Sequence, residues 1–220
     1  EMVSSKKKVI NAKATNIHSP SDERQAPFCP VFDVCGGCQL QHIKPDAALV
    51  QRDRALKVMM ERHLAMKPDV WQAPLAGPRP QYRRKARLAI DARNPNQIKL
   101  GFREANSSNV INVETCPILV DPLSKLIGPL RDALSGFESA RHIGHISLIA
   151  GDNTSHLVIK HTKALEAELI DAVSELVNTS SSVGDYGIEL KLENKQGQIR
   201  SVGRGTDMVM NTVSGCSISP

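Results

Sequence analysis

Aromatic side chains are scarce in this sequence: one tryptophan, two tyrosines and four phenylalanines, 3% of 220 residues. A core built from it must therefore be aliphatic, drawn from the 40% of residues that are apolar. No apolar run approaches the ~20 residues needed to cross a bilayer, so no membrane partner is expected. The basic N-terminal stretch "EMVSSKKKVINAKAT" has no apolar segment after it, and no secretory signal is visible. The first residue is Glu1 rather than a methionine, so the sequence is expected to be a piece of a longer one. Internal repeats and low-complexity tracts are also lacking. A reducing cytoplasm is the expected compartment, and there clustered cysteines are metal ligands more often than disulfides.

Charge is present in excess and is unevenly spread. The formal net charge is +5, yet residues 6–13 hold four lysines and no acid, and residues 79–104 hold eight Lys/Arg against two acids. The remainder is therefore acidic. A concentrated basic segment on an acidic body points to a polyanion, most simply nucleic acid; a solvated charged surface is the bland alternative.

Three of the five cysteines lie in "FCPVFDVCGGCQLQH", Phe28 to His42, with the spacing C-x5-C-x2-C, and the next, Cys116, follows Cys38 by 78 positions. Four thiolates complete a tetrahedral zinc site or the corners of a [4Fe–4S] cluster. Structural zinc usually uses two C-x2-C knuckles, and there is only one. Proline follows Cys29 and Cys116, which removes a backbone donor beside each ligand, and Gly36-Gly37 allows a tight turn with exposed N–H groups. These features favour iron–sulfur chemistry but leave zinc open. The radical-type spacing C-x3-C-x2-C is missing. Cys216 has no motif around it and is read as an incidental thiol.

Periodicity predicts a strand at 8–17, a helix at 46–65 with Leu49, Leu56, Met60 and Leu64 on a core-facing stripe, and strands at 82–91, 97–103 and 109–114. A helix follows at 121–135, weakened by Gly128-Pro129. Strands at 145–150 and 155–161, a helix at 164–177 and a last hairpin, GIELKLEN to QIRSVG, complete the series. The pattern is that of an α+β fold: an antiparallel sheet with helices packed on one face. Residues after 205 show no closing element.

In order along the chain, "CPVFDVCGGCQLQH", "YRRKARLA", "KLGFREANSSNVINVETCPIL" and "RHIGHISLI" resemble the bacterial 23S ribosomal RNA (uracil-C5)-methyltransferases, from about Lys6 to Gly205. The resemblance implies that Cys29, Cys35, Cys38 and Cys116 bind a [4Fe–4S] cluster in an iron–sulfur loop segment. It implies 23S ribosomal RNA as partner and S-adenosylmethionine as methyl donor of the full-length enzyme. It divides the chain into the end of an N-terminal TRAM domain and linker (1–24), an iron–sulfur segment with a helix (25–78), a central α+β RNA-recognition domain (79–205), and a lead-in to a methyltransferase domain (206–220). No glycine-rich strand-to-helix turn offers a cofactor site, so a complete S-adenosylmethionine-binding Rossmann-like domain is not expected here. No catalytic residue is assigned, and the piece alone is expected to be inactive and monomeric. A free-standing iron–sulfur or zinc RNA-binding module without catalysis is the alternative.

Within the basic segment, alternation along 82–91 puts Arg83, Lys85 and Arg87 on one side, with side chains ~6.6 Å apart, matched to a phosphate backbone. Arg103 joins them if the next strand pairs as a hairpin. Arg84, on the other side, is expected to meet a carboxylate or carbonyl. Gln39, Gln41 and His42 are candidates for nucleotide edges or for structural roles. Phe28 and Phe32 are expected to shield the cluster rather than stack on bases. His142 and His145 are read as structural. The cluster itself is expected to be structural and RNA-positioning rather than a redox sensor, since methyl transfer requires no electron.

Overall fold

The computed structural model describes residues 2–6, 9–12, 14–65, 70–77, 79–181, 187–203, 208–211 and 217–218. Cys216 lies outside the described residues. The chain divides into two compact units, one made of Glu1–Pro27 with Leu40–Pro74 and the other of Phe28–Gln39 with Leu75–Pro220.

In the first unit, β1 (Met2–Lys6) and β2 (Val9–Ala12) form an antiparallel hairpin. The strand expected over 8–17 is thus shorter and has a partner. It stops at Ala12 because the register Met2↔Ala12 exhausts what β1 can pair. Residues 23–25 run against 41–44: Gln25 donates its amide to the His42 carbonyl and its side-chain nitrogen to the Gln41 carbonyl. Gln41 is buried, which gives it a structural place rather than a nucleotide edge. Helix α1 (Pro45–Leu64) starts on a proline, whose missing N–H costs nothing at that position, and ends at Ala65 in the left-handed conformation. The expected core stripe is not a core: Leu56 and Leu64 are exposed, Leu49 and Met60 are half-buried, and Ala48 is the buried position. Asp53 ties the helix to the following segment by accepting from Trp71 Nε1 at 2.7 Å and pairing with Lys57.

The second unit holds β3 (Lys85–Asp91), β4 (Lys99–Arg103), β5 (Val110–Asn112), α2 (Asp121–Leu134), β6 (Ile143–Ala150), β7 (Thr154–His161), α3 (Ala167–Ser181), β8 (Gly187–Glu193), β9 (Ile199–Val202), β10 (Met210–Asn211) and β11 (Ser217–Ile218). Seven strands form one sheet in the order β5-β4-β3-β6-β7-β8-β9. The sheet is mixed, not antiparallel throughout: β7 and β8 run parallel, from Thr154↔Gly187 to Lys160↔Glu193. The physical reason is α3. A helix inserted between two strands carries the chain back to its starting end, and the second strand then enters in the same direction. The C-terminal stretch, expected to be featureless, pairs β10 with β11.

Helices α2 and α3 pack on each other and on the sheet, closing an aliphatic core around Leu88, Leu100, Ile127, Leu148 and Leu157. Burial alternates along β3: Ala86 and Leu88 face the core while Lys85 and Arg87 are exposed. Pro129 does not stop α2. The Gly128 amide turns instead to the Glu114 carbonyl at 3.2 Å, and Glu114 pairs with Arg131 one turn on. Arg84 leaves the core side by donating to the carbonyls of Ala150 and Gly151 and to Asp152, which clamps the β6–β7 turn. Among the described residues, no helix is long and apolar enough to cross a membrane.

Candidate metal centre and its basic flank

The cysteine loop winds through short turns. Phe32 donates to the Cys29 carbonyl at 3.1 Å, and Cys35 to the Val31 carbonyl at 2.8 Å. Its far end is sewn to the end of β4: Gly36 donates to Arg103 at 3.0 Å, Ala105 donates to Val34 at 3.0 Å, and Cys35 bridges Glu104. Neither Gly36 nor Gly37 adopts a positive φ. Both lie in a turn, and Gly36 also serves close approach, since a Cβ there would stand 3.2 Å from the Arg103 oxygen.

Cys116 arrives from the opposite direction. After β5, Val113 donates to Leu100 and the chain turns through Cys116-Pro117. Residues 117–119 then run beside 81–83: Gln81 donates to Pro117 at 3.2 Å, Arg83 to Ile118 at 2.8 Å, and Val120 to Arg83 at 3.0 Å. The buried hydroxyl of Ser124, in the first turn of α2, hydrogen-bonds the backbone of Cys116.

Cys116 comes within electrostatic reach of Cys29 and Cys38, and Cys29 within reach of Cys35 and Cys38. Burial pushes the Cys116 thiol up, the amides of Ile118 and Leu119 pull it back, and the sulfurs of Cys29 and Cys38 add to the rise. Burial likewise raises Cys29, opposed by the Val31 amide and reinforced by Cys35 and Cys38. One local device recurs three times: the amide two residues on points at the sulfur, from Val31 to Cys29, Gly37 to Cys35 (3.4 Å) and Ile118 to Cys116. N–H groups aimed at sulfur favour the thiolate, the form that binds metal. Spacing alone did not reveal this device; the Gly37 amide faces a cysteine sulfur. Among the described residues, no three His, Cys, Asp or Glu side chains close tightly enough to hold a single metal ion.

Arg83, Lys85 and Arg87 are exposed and, among the described residues, take part in no ion pair. Lys85 and Arg87 sit opposite Ile149 and Ser147 of β6. Arg83 precedes β3 and bridges Leu119, so the row begins beside Cys116. β3 and β4 do pair as a hairpin, but Arg103 donates to the Ser108 carbonyl at 2.7 Å, which ties its guanidinium to the β4–β5 loop. Phe28 is 49% exposed. His142 contributes its carbonyl, which accepts from the Thr162 amide and hydroxyl.

No protein-family profile matches the chain. Over all 220 residues it is 66% identical to a protein of Alteromonas mediterranea named 23S rRNA (uracil(1939)-C(5))-methyltransferase RlmD, and spans 44% of that protein. The chain belongs to the RlmD family. Further members so named include one from Alteromonas naphthalenivorans, 45% identical over 99% of the chain, and one from Shewanella baltica, 34% identical over 92%. The chain thus spans under half the length of the RlmD relatives it matches. In fold it is similar to the crystal structure of Pyrococcus abyssi tRNA (uracil-54, C5)-methyltransferase in complex with S-adenosyl-L-homocysteine: TM-score 0.59, 16% identity, 93% of this chain and 47% of that one.

Proposed function

We propose that this chain is the cluster-bearing, RNA-positioning part of a uracil-C5 methyltransferase acting on 23S ribosomal RNA in the cytoplasm, as a monomer. Cys29, Cys35, Cys38 and Cys116 hold a [4Fe–4S] cluster, and Arg83, Lys85, Arg87 and Arg103 contact phosphates. The observation that supports the reading is that Cys116, 78 positions beyond Cys38, lies within electrostatic reach of Cys29 and Cys38. The donor set fits the group: four sulfurs, three of them met by backbone amides.

When bound, the cluster supplies a four-point cross-link rather than an electron. The chain's own residues do the rest. The Gly36 amide holds the cysteine loop on β4 and Ser124 holds Cys116 on α2, while the cationic row starts at the same loop and aligns the polyanion. Residues 1–24 are read as the end of a TRAM domain, 25–78 as the iron–sulfur segment, 79–205 as the RNA-recognition domain and 206–220 as the approach to the methyltransferase domain. The groups that bind S-adenosylmethionine and attack uracil belong, in this reading, to the part of the relatives that the chain does not span. The isolated 220 residues then transfer no methyl group.

Anaerobic purification with iron, sulfide and zinc analysis tests the assignment. The expected product is brown, with four irons and four sulfides per chain, about the stoichiometry of one cubane. A colourless protein carrying one zinc would overturn it.

A further inference from the structure

Leu88, Ile146, Ile159 and Leu192 point from four strands of the sheet into the aliphatic core, so the residues alternating with them point to the other face. Strand register decides what meets there. Arg87 of β3 lies opposite Ser147 of β6, which makes His145, two positions along β6, its diagonal neighbour at ~7–8 Å. His145 in turn lies opposite Lys160 of β7, and Lys160 lies opposite Glu193 of β8, with which it pairs. The pairing of β6 with β7 slips by one residue between Ile143 and His145. That bulge at Gly144 lets Ile143 return to the core while His145, two positions on, keeps the far face and is half-buried. The charges group as the register does. Burial first, then the Arg87 guanidinium, hold the His145 imidazole below the ordinary histidine range; Glu193 opposes and Lys160 adds. Arg87 and Lys160 against Glu193 leave one positive charge uncompensated around the ring.

We infer that Arg87, His145 and Lys160, on three adjacent strands, form one phosphate site for the bound RNA, and that His145 takes up a proton when the phosphate arrives. The inference rests on the RNA-binding reading above and adds two things to it: the RNA backbone turns at Arg87 to cross from β3 toward β7, and its grip tightens as the pH falls. Lys85 and Arg87 are exposed on this same face, so a backbone lying along the row reaches the site without leaving the sheet. The distance from β3 to β7 is two strand spacings, roughly 10 Å, which long Arg and Lys side chains close from either side of His145. The Lys160 ammonium has three donors, and Glu193 accepts from one. A neutral imidazole offers one N–H and a protonated one offers two. A phosphate beside the ring offsets Arg87 and Lys160, so that a proton on His145 no longer meets a net positive field. Phosphate binding and protonation then strengthen each other by the same factor.

The test is filter binding of a uridine-containing single-stranded oligoribonucleotide to the 220-residue chain, in wild type, His145→Gln and Lys160→Gln, at about pH 8 and about pH 6, on either side of the ordinary histidine midpoint. Glutamine at 145 stays polar and cannot be protonated; at 160 it keeps a donor for Glu193. Wild-type affinity should rise by about 5- to 10-fold more than that of His145→Gln between the two pH values, since a rise of one pKa unit on binding corresponds to a factor of ten. The other histidines act alike in both proteins and cancel in the comparison. Lys160→Gln should lower the log–log salt slope by ~0.7, the value for one phosphate of a single strand. Independently of any variant, the same RNA should raise the His145 titration midpoint of wild type in NMR. A pH profile shared by wild type and His145→Gln, or a His145 midpoint that stays put while RNA binds, would overturn the inference and leave the RNA reading standing. Wild type that binds no RNA at either pH would bring down that reading, and this inference with it.

Discussion

The hydroxyl of Ser124 grips the main chain of Cys116 on both sides, lying 3.0 Å from its amide nitrogen and 3.0 Å from its carbonyl oxygen. A single buried oxygen thereby fixes the approach of the remote cysteine from the first turn of α2. Replacing Ser124 by alanine leaves two backbone groups without that partner in a half-buried place. The expected cost is ~1–3 kcal/mol of stability, together with faster loss of iron from the loaded protein to a chelator. Ser135→Ala, which removes the exposed hydroxyl bonded to Arg131 at the other end of α2, should leave iron release alone. Equal release from both variants would deny Ser124 its positioning role.

Cys116→Ser should abolish stable cluster uptake as fully as Cys29→Ser, despite its distance in sequence, whereas Cys216→Ser should retain wild-type iron. The readout is iron per chain with the sulfur-to-iron charge-transfer absorbance. Full iron in Cys116→Ser would separate the fourth ligand from the other three.

Gly101→Ala should destabilise the second unit by about 1–3 kcal/mol through overpacking. A Cβ there would stand 2.3 Å from the Ile111 oxygen and 2.9 Å from a Val113 methyl, both on the stretch that leads to Cys116. Chemical denaturation measures the loss, and a midpoint equal to wild type would show that β5 can yield.

Alanine at Arg83, Lys85 and Arg87 together should flatten the log–log salt dependence of single-strand RNA binding by roughly 2, from ~0.7 per phosphate contact. An unchanged slope would move the phosphate contacts elsewhere.

His145 reports on Arg87. Burial, then the Arg87 guanidinium, then Lys160 hold its imidazole below the ordinary histidine range, with Glu193 opposing. Such a depressed histidine takes up its proton more readily unfolded than folded, so it lowers stability as the pH falls below about 6.5. Arg87→Ala should raise the His145 titration midpoint in NMR, and so should RNA added to wild type if a phosphate sits on Arg87. A midpoint indifferent to both would remove Arg87 from the interface.

Much of this was legible without coordinates, because it is written locally. Alternation along Lys85–Asp91 fixes which side chains face the core and which are exposed. Helical spacing located α1, α2 and α3 to within a few residues. What could not be read depended on partners distant in the chain. Whether β8 enters parallel or antiparallel is decided by the path of α3 over the sheet. The glycines at 36 and 37 do form the turn they suggested, but that Gly36 also gives β4 its clearance was not visible. Arg103 has the same residue type as the row it adjoins, and only the structure shows that one of its guanidinium nitrogens donates to the Ser108 carbonyl. The stripe on α1 has helical period, yet Leu56 and Leu64 are exposed and Leu49 and Met60 only half-buried. Periodicity is a property of the backbone and travels with the sequence, whereas burial and pairing are properties of what the rest of the chain brings alongside, so only the tertiary structure could decide them.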